Sequence, residues 1–317
     1  MDRARRVRAL GRHLQGAVPR GDLPSPCGGG RGRPRLLHLD GSTGAGTMKR
    51  FLVINADDAG LDPRLDAVIL ELARGPLKSA SVLTTQKGFR QFVSRALDLG
   101  MGLGLHFDLT TGPALGGPYE TLTDREGRFI TPKEKVWERA LAGDIDPAEV
   151  AREARLQWEA LLEAGVQPDH IDGHNHVHVL PGVFEGLVAA LGHLTDVFLR
   201  IPLGRGPDTG RCPHVRRHAA ALQSHPERIP PGWRRVEVFT GHRFMERPGL
   251  DQLEVLDDDE VRTLEWMVHP GDADLSPFRT DERRRREVEI LLSRELAQRL
   301  DERGIVCCRF GDIPCES

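Results

Sequence analysis

The chain has 317 residues and a mass of 35.2 kDa, with 39% hydrophobic and 29% charged residues and a formal net charge of −3. This is the composition of a folded protein with enough chain to bury a sizeable core, and no apolar run reaches the ~20 residues of a membrane-spanning helix. Cys27, Cys212, Cys307, Cys308 and Cys315 form no CxxC pair and no even framework, which argues against a disulfide scaffold and a thiolate zinc site and makes a reducing cytoplasm the expected setting.

Residues 1–47 stand apart. They hold nine Arg, three Asp and many Gly and Pro, without hydrophobic period. They read as a disordered tail ahead of Met48, with an Arg-rich transit peptide as the alternative. Setting aside their six net positive charges moves the balance from −3 to −9. An acidic domain over 48–317 is a poor match for nucleic acid.

From Arg50 onward, short apolar runs alternate with helical patterns. Phe51–Ile54 is a buried parallel strand stopping at polar Asn55. A helix over 63–74, a strand over 79–84, a helix over 89–99 and a strand over 102–109 follow. Residues 110–131 are rich in Gly, Pro and Thr and read as a long loop of the kind that often serves function. Asp146, Pro147 and Glu149 signal a capped helix ending before Gly165, with Val150, Ala154, Trp158 and Leu161 as its apolar stripe. His170 opens a fourth strand, a helix covers 183–191, and Val197–Arg200 is a fifth strand. Residues 204–232 carry no clear pattern. Strands are expected over 236–239 and 265–268. One long helix over 281–303, capped by Thr280, precedes a closing strand over 305–307. The alternation argues for an α/β barrel or a doubly wound sheet.

Reactive side chains gather where these strands end, the rim on which barrels build active sites. Asp57 and Asp58 follow the first strand, and two adjacent acids pointing apart could divide metal binding from base catalysis. A solvated turn or helix cap would also explain them. His170, Asp172, His174, His176 and His178 alternate, so an extended chain would put all five on one face. Buried, they need partners, and imidazole is a common metal ligand. His106, Arg200 and His269 lie near other strand ends. The run Arg283–Arg286 reads as a solvated helix face. The pair Gly102/Gly104 does not complete a dinucleotide fingerprint.

Four segments in order carry a resemblance: Asn55-Ala56-Asp57-Asp58-Ala59-Gly60, Gly104-Leu105-His106-Phe107-Asp108-Leu109, His170-Ile171-Asp172-Gly173-His174-Asn175-His176-Val177-His178 and Met267-Val268-His269-Pro270-Gly271. Together they resemble the motif set of the YdjC/ChbG-type carbohydrate deacetylases, over roughly residues 48–312. The resemblance implies a distorted β/α barrel and hydrolysis of N-acetyl groups on amino sugars or small oligosaccharides with a divalent ion. It implies Asp58, His106 and His174 as metal ligands, Asp57 as the base that activates water, His269 as general acid and Arg200 as the residue orienting the base. Magnesium is the family's usual ion, whereas an Asp-His-His set suits zinc, manganese, iron or cobalt. Ala59 and Thr85 depart from the family's usual aromatic residue and Asn. A small carbohydrate is the implied partner, with no nucleic acid or membrane, and related enzymes are often homodimers. The rival readings are a metal-dependent phosphoesterase, with His176 and His178 available to a second ion, and a non-catalytic metal- or sugar-binding protein.

Overall fold

Residues 49–204, 213–242, 248–271 and 282–315 are described by the computed structural model. The expected tail over 1–47 and the Thr280 cap lie outside them.

The first strand, β1 (Arg50–Ala59), is longer than its apolar run. It passes through Asn55, Asp57 and Asp58 because each polar side chain finds a partner inside the fold, so the acids lie within the strand rather than after it. The remaining strands are β2 (Ser79–Val82), β3 (Gly102–Phe107), β4 (His170–Gly173), β5 (Val197–Leu199), β6 (Trp233–Arg234), β7 (Val238–Thr240), β8 (Thr263–Val268) and β9 (Ile305–Cys307). All pair in parallel, in the order β6-β5-β4-β3-β2-β1-β8-β7. β9 pairs with Arg50–Leu52 at the start of β1. Beyond β5, Gly204 bridges Phe239 of β7 and brings the sheet ends together in a distorted barrel. This is the α/β barrel alternative.

The helices are α1 (Pro63–Leu72), α2 (Phe89–Asp98), α3 (Lys133–Ala142), α4 (Pro147–Glu163), α5 (Val183–Leu191), α6 (Pro213–Ser224), α7 (Glu282–Leu291) and α8 (Arg294–Glu302). α1 and α4 begin as their sequences dictate, with Asp62 and Asp146 accepting from the amides of Arg64 and Ala148 and Pro at the first position. The stripe Val150, Ala154, Trp158 and Leu161 is buried. α3, α6 and β6 are not among the expected elements, although Val215, Ala219 and Leu222 give α6 a buried stripe at helical spacing.

Two local expectations are corrected. Glu149 closes no capping box: its carboxylate accepts from the amides of Glu120 and Thr121 and from the Thr121 hydroxyl, pinning the loop over 110–131 to α4. The last helix is two helices, because Ser293 turns out of α7 and caps α8 by accepting from the Leu296 amide at 3.1 Å.

Candidate metal centre and active site

The site is built on a defect in β1. The β1–β2 register shifts between Ala56 and Ala59, so Asp57 and Asp58 occupy an irregularity of the kind that re-aims side chains. Asp58 sits at φ 65°, a left-handed conformation that a non-glycine residue holds only when its surroundings enforce it. The two neighbours thereby point to different partners.

Asp58 Oδ1 lies 2.9 Å from His174 Nδ1 and 3.5 Å from His106 Nε2, and the two ring nitrogens are 3.4 Å apart. Ligand atoms bound at about 2.1 Å to one ion stand roughly 3.0–3.4 Å apart. Asp58 Oδ1 is buried without a hydrogen-bond partner, as an oxygen reserved for a cation would be. One carboxylate and two imidazoles therefore fit a single divalent ion, with softness suited to zinc, manganese, iron or cobalt.

Asp172 Oδ1 lies 2.6 Å from His106 Nδ1, the carboxylate–imidazole contact that fixes a ligand's tautomer and aims its other nitrogen. Burial lowers the His106 pKa, but the carboxylates of Asp172 and Asp57 outweigh it and raise it to about 10. The local field thus favours positive charge there. Burial raises Asp58, while the His174 and His106 rings prevail and hold it well below the usual carboxylate range.

Asp57 faces the barrel interior. Arg200 Nη1 and Nη2 donate to its Oδ2 and Oδ1, each at 2.7 Å, and Asn55 Nδ2 donates to Oδ1 at 3.0 Å. The same guanidinium reaches Asp172 Oδ2 at 2.8 Å and Glu265 Oε1 at 2.6 Å. Arg200 is 2% exposed, so three buried carboxylates share one buried cation. Burial pushes Glu265 up to about 7 against the pull of Arg200. His269 Nε2 stands 3.9 Å from Asp57 Oδ2, and burial pushes that ring down to about 4.

The alternating His segment does not form one extended face. β4 ends at Gly173, and Asn175 and His176 both adopt φ 55°, turning the chain. Asn175 is gripped by Thr110 Oγ1 and Lys133 Nζ, each at 3.0 Å, which anchors the turn that presents His174. His170 and Asp172 both meet Ser81 Oγ, at 3.0 and 2.6 Å. His176 Nε2 meets His242 Nε2 at 2.8 Å, and His178 Nε2 donates to the Arg200 carbonyl at 3.0 Å. Gly104 makes room for the His170 ring, which a Cβ there would strike, and Gly102 makes room for Asp169 Oδ2 and Arg309 Cβ.

Asp57, Asp58, His106, His174, Arg200 and His269 thus converge from five strands. The family model described as YdjC-like protein matches residues 51–302. The chain belongs to the YdjC-like family. It is 31% identical over 268 residues to a carbohydrate deacetylase of Clostridium beijerinckii, covering 83% of this chain and 99% of that one. It is 30% identical over 308 residues to a human carbohydrate deacetylase, covering 84% and 94%. A crystal structure of an Enterococcus faecalis protein named for cellobiose-phosphate cleavage superposes with a TM-score of 0.65 at 24% identity, covering 83% of this chain and 98% of that one, which bears on the fold alone.

Several residues of this YdjC-like site escaped the sequence reading. Arg284, in the run expected to be solvated, is buried, and its Nη2 donates to Asp58 Oδ2 at 3.1 Å. Its helix also delivers Glu287, which accepts from the His269 amide. Asn55 donates to Asp57 and Ser81 to Asp172, while Glu265 accepts from the Arg200 guanidinium that both acids share. A charged residue inside an otherwise apolar strand, as Glu265 is in Thr263–Val268, was the one available signal. Thr85, where the family often has Asn, donates to buried Asp108 at 3.2 Å.

Proposed function

We propose that this protein is a metal-dependent hydrolase that removes N-acetyl groups from amino sugars or small chitooligosaccharides. The observation that carries the reading is the Asp58–His106–His174 triangle, buried except at His174, beside the Arg200-bound carboxylate of Asp57, in a chain similar over most of its length to carbohydrate deacetylases.

A divalent ion held by Asp58, His106 and His174 would supply Lewis-acid polarisation of the acetyl carbonyl and acidify water beside it. Magnesium follows from the family and zinc from the ligand set. The remaining chemistry belongs to the chain. Asp57 accepts a proton from the attacking water, and Arg200 holds both its oxygens in place for that transfer. His269 delivers a proton to the leaving amine; its Nε2 stands 3.9 Å from Asp57 Oδ2, beyond a direct hydrogen bond, so a bridging water or substrate atom carries the proton between base and acid. One base and one acid on a shared path meet the proton demands of amide hydrolysis. A small carbohydrate partner, without nucleic acid or membrane, and a cytoplasmic setting as a possible homodimer complete the reading. Among the described residues no helix is long and apolar enough to cross a membrane.

The test is acetate release from N-acetylated mono- and disaccharides, chitobiose included, by metal-stripped protein with Mg²⁺ or Zn²⁺ restored. Metal-restored release that Asp57→Asn abolishes supports the proposal. Tight metal binding with no acetate from any of these sugars would overturn it, and phosphate release from sugar phosphates would then point to the phosphoesterase.

A further inference from the structure

Helix α7 opens with Glu282 and four consecutive arginines. Arg284 is unlike an exposed helix cation. It is 8% exposed, its Nη2 lies 3.1 Å from Asp58 Oδ2, and its Nη1 donates to the His269 carbonyl at 3.4 Å. One turn later Glu287, 2% exposed, accepts from the His269 amide. Gly271 lies beside this helix, its amide donating to the Arg284 carbonyl at 3.4 Å, and a Cβ there would stand 2.7 Å from Leu65 Cδ2 on α1. Two charged residues on one buried helix face thus grip both sides of the site.

The contact with Asp58 is selective. Arg284 takes Oδ2, and Oδ1 is the oxygen that faces His106 Nε2 and His174 Nδ1. A carboxylate at a left-handed backbone position, in a strand irregularity, needs an external restraint to present one oxygen in one direction. A guanidinium on the second oxygen supplies that restraint.

We infer that Arg284 is a positioning residue of the metal centre: by holding Asp58 Oδ2 it makes Asp58 a one-oxygen ligand and ties that ligand to the backbone of His269. The inference rests on the assignment of Asp58, His106 and His174 as ligands.

The experiment measures Zn²⁺ affinity by competition with a chromophoric chelator, and the visible spectrum of the Co²⁺-substituted protein, for wild type, His106→Gln, Arg284→Met and Arg284→Lys. Wild type is expected to bind one ion and His106→Gln to lose it. If wild type binds none, or His106→Gln binds as wild type does, the ligand assignment fails and the inference falls with it. With that assignment standing, Arg284→Met is expected to bind Zn²⁺ about 10- to 100-fold more weakly with an altered Co²⁺ spectrum. Arg284→Lys, which keeps the charge without the second arm, should fall between. Wild-type affinity and spectrum in Arg284→Met would overturn the role. If the Met variant does not fold, Arg284→Lys decides alone: at least a threefold loss supports the inference, and unchanged affinity overturns it.

Discussion

Arg200 holds Asp57 by two parallel hydrogen bonds of 2.7 Å, with both partners almost wholly buried. A bidentate guanidinium–carboxylate pair fixes orientation as well as charge. Asn at position 57 could keep the shape but would place an NH₂ group against a guanidinium that can only donate. Asp57→Asn is therefore expected to bind metal with unchanged affinity and to lose turnover by about 10²- to 10⁴-fold. Paired metal titration and acetate-release kinetics check this, and a variant retaining full kcat would remove Asp57 from the chemistry.

Asp172 touches His106 Nδ1, Ser81 Oγ and Arg200 but none of the three atoms proposed to bind the ion. Its predicted role is to aim His106 Nε2. Asp172→Asn should weaken metal binding by about 10- to 100-fold, while folding is retained at saturating metal. Equilibrium dialysis against Zn²⁺ separates this from a ligand loss, which should abolish binding.

Glu265 gives a pH dependence. Burial raises its pKa to about 7 from an ordinary 4.5, and its Oε2 has no hydrogen-bond partner among the described residues. A carboxyl whose folded pKa is raised contributes its full stability below the unfolded pKa and loses it as pH rises through the folded value. The contribution should therefore fade between about pH 4.5 and pH 8. Glu265→Gln, neutral throughout and still able to accept from Arg200, should gain stability relative to wild type across that window, by on the order of 2 kcal/mol at its upper end. Urea unfolding of both proteins at pH 5 and pH 8 measures the difference, and a constant gap would remove Glu265 as its source.

Glu149 tethers the loop over 110–131 through three hydrogen bonds to Glu120 and Thr121. Glu149→Ala removes these three bonds and should loosen the loop around residue 120, while Glu153 on the same helix still accepts from Leu115, Gly116 and Tyr119. Limited proteolysis should then cut near residue 120 several-fold faster, with metal affinity untouched. An unchanged cleavage rate would show that the loop is held by other contacts.

Much of the fold was legible because it obeys local rules. The run Phe51–Ile54 had to be buried on both faces, and Asp146-Pro147 had to start a helix. The alternation of such pieces left a barrel as one of two architectures. The six candidate site residues were legible as chemistry at strand ends, and four ordered motifs supplied the family. Less was legible wherever a partner distant in sequence decides the conformation. Five alternating polar residues from His170 look like one strand face, yet Thr110 and Lys133 grip Asn175 and a left-handed turn sends His174, His176 and His178 to three different neighbours.

Arg284 is the sharper case. In sequence it is one of four arginines on a polar helix, with nothing local to distinguish it. Only the packing of α7 beside the end of β8 brings it to Asp58, 226 residues away in the chain. Which residue types could bind an ion and move a proton is readable along the chain, because those are properties of side chains. Which atoms face one another and which charges are buried emerges only on folding. Both depend on distance and desolvation between segments that share no local code.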